Sequence, residues 1–165
     1  MEDIVIRPAA REDAPAMAAI YNQAVARSTA TFDTDPETVE AREQWFDDHR
    51  SPQHPVLVAV RDGRTVGWGS LSRYSSRCAY VATVEVSIYI DENDTGRGIG
   101  TALGTALLEA GREGGVHAVL ARVCTENAAS LAMSRNLGFF EVGVMREVGV
   151  KLGRSLDVMM LEKLL

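Results

Sequence analysis

A carboxylate a few residues ahead of a glycine loop is the chemistry-bearing feature of this 165-residue chain. Glu85 lies inside Thr83 to Ile90, and the loop Thr95-Gly96-Arg97-Gly98-Ile99-Gly100 follows. Closely spaced glycines let backbone N–H groups converge on an anion, and a helix beginning in the loop adds partial positive charge. An acid just upstream can accept a proton, or it can be an ordinary strand-end ion pair. On its own, the ion pair is the simpler reading of Glu85; beside the anion cradle, a general base is favoured.

The flanking elements must hold this pair in place. Thr83 to Ile90 alternates and is rich in β-branched residues, which predicts a strand. Asp91 to Gly100 is a loop of turn formers. From Gly98 onward, Ile99, Leu103, Ala106, Leu107 and Ala110 recur at helical spacing, and Gly114-Gly115 stops that helix. Before this block, Glu2 to Arg7 reads as a strand ended by Pro8. Glu12 to Ala26 and Glu37 to His49 read as helices, and Val56 to Val60 with Thr65 to Leu71 as a hairpin around Arg61-Asp62-Gly63-Arg64. After it, Val116 to Val123 is a near-continuous apolar run, which predicts a strand buried on both faces. Glu126 to Leu137 reads as a last helix, with Asn127 near its cap and Gly138 just past its end. Phe139 to Val150 and Leu156 to Leu161 close the chain as two strands. The whole is predicted as one mixed α/β domain, residues 1–165, of seven strands and four helices on one sheet.

Bulk composition excludes several function classes. A net charge of −6 argues against a nucleic-acid or membrane-surface protein, which needs a basic face. No apolar run approaches a membrane span, and the N-terminal MEDIVIRPAARED shows no secretory pattern. Cys78 and Cys124, with His49, His54 and His117, fit no metal-ligand spacing, so no metal is expected and reduced cysteines in the cytoplasm are the simplest reading.

Three nucleotide-type readings compete for the loop. A P-loop requires Gly-Lys-Ser/Thr, whereas this loop ends Gly98-Ile99-Gly100-Thr101. A dinucleotide fold requires an early strand before the glycines and an acid at the tip of the next strand, which here reads Ala121-Arg122-Val123-Cys124. The third is a pyrophosphate cradle for coenzyme A. The loop resembles the acyl-CoA loop of the GNAT N-acetyltransferase family, Arg/Gln-x-x-Gly-x-Gly/Ala, with Thr95 in place of the first residue. Asn127 and Leu137-Gly138-Phe139 resemble that family's later segment. Ile20-Tyr21-Asn22, Ala30-Thr31-Phe32-Asp33, Gly67-Trp68, Ala79-Tyr80, Thr83-Val84-Glu85-Val86-Ser87 and Gly153-Arg154 resemble its phosphinothricin and methionine sulfone N-acetyltransferases, from Ile4 to Leu161.

The resemblance implies the GNAT fold, acetyl-CoA as co-substrate, a small-molecule amine acceptor and a homodimer whose last strands meet. It also implies roles. Val86, Ser87 and Ile88 would offer backbone groups to the pantetheine arm as an added strand does. Thr95, Gly96, Arg97, Gly98, Ile99, Gly100 and Thr101 would hold the pyrophosphate. Asn127 would bond the arm near the thioester, with Ser130 on the same helix. Glu85 would be the general base. Phe32, Arg73, Arg77 and Tyr80 would line the acceptor pocket, Arg77 pairing with an acceptor carboxylate. From the residues alone, Phe32 is equally a plug at the core edge.

Departures from the family pattern concentrate on the acceptor side. Ser134 stands where a Tyr or His proton donor is expected, Ser75 where a second arginine is, Ser155 for an aromatic and Ala82 for a histidine. A serine hydroxyl is a poor donor to a thiolate, so no general acid is assigned. Tyr89 is a substitute by position, although a tyrosine in such a strand is more often a packing residue. Other acceptors stay open: a protein N-terminus, a polyamine or an aminoglycoside. A catalytically silent acyl-CoA-binding module is the reading from another class.

Overall fold

The structure, a computed structural model, describes residues 4–165. Its strands are β1 (Val5–Pro8), β2 (Val56–Arg61), β3 (Arg64–Arg73), β4 (Thr83–Ile90), β5 (Ala118–Cys124), β6 (Phe140–Lys151) and β7 (Arg154–Leu164). Its α-helices are α1 (Ala14–Arg27), α2 (Val39–Asp48), α3 (Ile99–Glu113) and α4 (Ala128–Asn136). The elements follow the predicted order. Two residues of the predicted first strand, Glu2 and Asp3, lie outside the described residues. Pro8 is the last residue of β1 rather than a stop, tolerated because β1 is an edge strand. α2 starts at Val39, two residues later than expected, and Thr38 caps it, its hydroxyl accepting the Ala41 N–H at 3.1 Å.

The sheet runs β1-β2-β3-β4-β5-β7-β6. Neighbours are antiparallel except β4 and β5, which are parallel. Helices cover both faces because the central strands bury both sides. Leu57 and Ala59 of β2 join Leu103 and Leu107 of α3 in one cluster, while Val56 and Val58 join Met17 and Ile20 of α1 in the other. Each such fully buried Leu or Ile stabilises the fold by about 1.5–3 kcal/mol.

One feature of the sheet positions the site. β4 and β5 pair only over Thr83 to Glu85 with Ala118 to Leu120. Beyond Glu85, β4 stays with β3, through Val86↔Leu71 to Ile90↔Gly67. β5 stays with β7, through Ala121↔Leu161 to Cys124↔Val158. The sheet therefore splits in a wedge headed by Glu85, across which the facing backbone edges no longer pair with each other. Unpaired N–H and C=O groups need partners, so the wedge is built to take something in. β5 also departs from its predicted double burial: it alternates, and Arg122 is exposed toward the wedge.

Candidate active site

At the far end of the wedge, Gly96 and Gly98 adopt φ of +73° and +79°. Those left-handed conformations suit glycine and turn the loop into the start of α3. Gly98 is the N-cap, and no side chain caps the first turn, so its N–H groups face outward with the helix dipole behind them. The loop is held from beneath. Fully buried Asp94 is gripped by Arg61 and by Arg64, whose Nη2 lies 2.7 Å from Oδ2. Gln23 of α1 accepts the Glu92 N–H at 3.0 Å and donates to Asp91 at 3.2 Å. At Gly100 a Cβ would lie 2.8 Å from Met133 Sδ, so glycine lets α4 approach the cradle. This rigid cradle of free N–H groups fits the diphosphate of a coenzyme A molecule.

Two cavities meet along β4. The one at the cradle, about 530 Å³, is lined by Thr95, Gly96, Gly98, Ile99, Gly100 and Thr101. The other, about 540 Å³, opens on Phe32, Glu85, Val86, Ser87 and Arg122. Ile88, Tyr89, Asn127 and Ser130 border both. Asn127 is the N-cap of α4, its Oδ1 accepting the Ser130 N–H at 3.1 Å, which leaves its amide NH2 to donate to a ligand. Arg97 points away, its Nε 3.9 Å from Asp94. Arg73, the last residue of β3, and Arg77 and Tyr80 on the connection to β4 are exposed, outside the lining of either cavity. Arg73 donates to the carbonyls of Ser75 and Ser76, at 2.8 and 3.1 Å.

The 28–36 loop walls the second cavity. Phe32 lies against Gly149 of β6, where a Cβ would come 2.2 Å from its ring. Lys151, buried, donates to the carbonyls of Thr31 at 2.7 Å and Ala24 at 3.2 Å; burial lowers its pKa, with Asp33 opposing. The Tyr21 hydroxyl meets Thr31 Oγ1 at 2.9 Å and donates to Asp33. Burial, then the Asp33 bond, pushes the Tyr21 pKa well above its usual value. Burial likewise raises that of Tyr89, which packs edge-on against Tyr21, so its phenol stays protonated at neutral pH. Ser134 is buried and also lines this cavity.

Glu85 has a partner that sequence reasoning missed. Arg122 of β5 donates through Nε to Oε1 at 2.8 Å and through Nη2 to Oε2 at 2.7 Å. The pair raises the Arg122 pKa, the hydrogen bonds to Glu85 being the largest cause, so the guanidinium stays charged. The signal in the sequence was an arginine interrupting the apolar run Ala118 to Cys124.

Comparison with known proteins agrees with the fold. The domain family described as "Acetyltransferase (GNAT) domain" matches residues 3–140. An L-methionine sulfoximine/L-methionine sulfone acetyltransferase of Pseudomonas aeruginosa is 38% identical over 154 residues, 93% of this chain and 90% of that protein. A GNAT superfamily phosphinothricin acetyltransferase of Sinorhizobium meliloti, solved in complex with acetyl-CoA, superposes with a TM-score of 0.95 at 29% identity, over 98% of this chain and 88% of that one. A ribosomal-protein-alanine N-acetyltransferase of Brucella melitensis superposes with a TM-score of 0.94 at 38% identity, over 98% and 99%. With its split sheet, glycine cradle and matched domain, the chain belongs to the GNAT family, the N-acetyltransferases that take acetyl-CoA as co-substrate.

Proposed function

We propose that this enzyme acetylates the α-amine of a small amino-acid-like compound of the phosphinothricin, methionine sulfone or methionine sulfoximine kind, by direct transfer in a ternary complex. One observation carries the reading: Glu85 heads the wedge where β4 and β5 part, on the cavity that adjoins the glycine cradle. The names of the Pseudomonas and Sinorhizobium relatives support the acceptor class.

Acetyl-CoA, when bound, supplies a thioester carbonyl open to attack. Thr95 to Thr101 hold its diphosphate, while the β4 edge at Val86 to Ile88, with Asn127 and Ser130, takes the arm. Glu85 acts on the acceptor. An α-ammonium group titrates near 8, so the carboxylate needs to relieve it of one proton, directly or through one water. Each Glu85 oxygen accepts one bond from Arg122 and keeps a lone pair for this task. The β4 backbone near Val86, where the strand leaves β5, can supply an N–H donor to the developing oxyanion. Phe32 walls the acceptor side. No residue is assigned as general acid.

The test is thiol release with a panel of amines. Glu85→Gln is expected to lower kcat/KM about 10²- to 10⁴-fold with coenzyme affinity intact; full retention of kcat/KM across pH would refute the base. Preference for a peptide N-terminus, the acceptor type named by the Brucella relative, or for a polyamine or aminoglycoside would overturn the acceptor class. Tight coenzyme binding without turnover of any amine would mark a silent acyl-CoA-binding module. The exposed Phe140, Val142, Val144, Val148 and Val150 on edge strand β6 support a homodimer, checked by sedimentation. A cytoplasmic setting, which keeps free Cys78 and Cys124 reduced, completes the reading and is checked by cell fractionation.

A further inference from the structure

Among the described residues that line the acceptor-side cavity, Arg122 is the single cation. Its hydrogen bonds to Glu85 use one edge of the guanidinium, Nε with Nη2. A guanidinium carries five N–H donors in a planar fork, so the Nη1–Nη2 edge remains for a second carboxylate in the same bidentate geometry. The side chain is open to solvent: Arg122 keeps 55% of its surface exposed, whereas Glu85 keeps 22%. Arg73 and Arg77 do not compete, since Arg73, at the end of β3, is bonded to the loop that follows it and Arg77 lies outside the cavity lining.

We propose that Arg122 is the specificity-determining contact for the acceptor's α-carboxylate, holding Glu85 on one edge and the substrate on the other. This deepens the α-amine acetyltransferase reading and rests on it. In an α-amino acid the amine is one carbon from the carboxylate. A carboxylate docked on the outer edge of Arg122 therefore presents the amine on the side of Glu85, within direct or one-water reach. The guanidinium also offsets the repulsion between the two carboxylates, which would otherwise keep an amino acid away from an acidic base. A peptide N-terminus has an amide where an amino acid has its carboxylate, and a polyamine brings only positive charge. The same contact thus selects free amino-acid-like acceptors over both.

The test compares methionine sulfone with its carboxamide, which keeps the α-amine and lacks the charged group. In the unmodified enzyme the carboxamide is expected to show a KM about 10- to 100-fold higher, the range for a charge-assisted bidentate contact. Arg122→Met is expected to raise the KM for methionine sulfone by a similar factor while leaving that for the carboxamide within about 2-fold, because the two changes remove one interaction. Arg122→Lys, which keeps the charge and loses the fork, is expected to recover part of the loss. Acetyl-CoA affinity by calorimetry should be unchanged in both variants, which excludes misfolding. Equal KM increases for acid and carboxamide in Arg122→Met would mean that Arg122 only orients Glu85, and would overturn this assignment alone. Turnover of polyamines or peptides with neither methionine compound accepted would overturn the assignment and the acceptor class together.

Discussion

Glu85 unites the two readings its sequence context allowed: it sits in a bidentate ion pair and it faces the acceptor cavity. The pairing fixes the orientation of the carboxylate and leaves lone pairs free, as the proposed base requires. Ser134 shares the same cavity, yet a hydroxyl that titrates far above a thiol is a poor proton donor to coenzyme A thiolate. Ser134→Ala is therefore expected to keep kcat within about 2-fold of the parent, read by thiol release at saturating substrates. A hundredfold fall would instead make the hydroxyl part of a proton path.

At the scale of elements, the loop from Asp91 to Gly98 works because it is braced before any ligand arrives. Asp94 ties it to the β2–β3 hairpin through Arg61 and Arg64. Removing one partner from a buried ion pair strands the others, so Asp94→Ala is expected to destabilise the protein by about 3–5 kcal/mol in chemical denaturation and to weaken acetyl-CoA binding. Gly98→Ala acts differently: the space around it is open, but φ of +79° costs an L-residue about 1–2 kcal/mol. Its expected signature is a raised acetyl-CoA KM with near-normal kcat. On the acceptor side, Gly149→Ala pushes on the Phe32 ring, and the expected result is a raised acceptor KM with unchanged coenzyme affinity.

For the whole molecule, pH and association are the informative variables. Burial pushes the Asp13 carboxyl up. The Arg7 guanidinium, at 2.7 and 2.8 Å, outweighs this together with the Ala10 N–H and the Thr65 hydroxyl, and holds the pKa below the usual 3.8. A carboxyl depressed in the folded state contributes its stability in full above the unfolded value and loses it as pH falls through the folded one. The stability gap between the parent and Asp13→Asn is thus expected to be widest at neutral pH and to close on acidification below about pH 4, followed by denaturation midpoints. In the proposed homodimer, Val142→Asp on the exposed face of β6 is expected to shift sedimentation toward the monomer.

Local rules made much of this protein legible in its sequence. Alternation marks β4, helical spacing marks α3, and the demand for left-handed backbone at Gly96 and Gly98 marks the cradle, each within a few neighbouring residues. Asn127 is legible as the cap of α4 for the same reason. What only the tertiary structure decided depends on partners distant in the chain. Arg122 meets Glu85 across 37 residues because β4 and β5 happen to pair in parallel just that far and then part. Composition and spacing cannot say where two strands separate, since that is set by β3 and β7 drawing them to opposite sides. Nor can they distinguish the arginine that enters the cavity from those that fold back on their own loop. The glycine loop and its flanking elements, set by neighbouring residues, were therefore readable from the order of residues, and the Glu85–Arg122 pair, brought together from separate strands, was not.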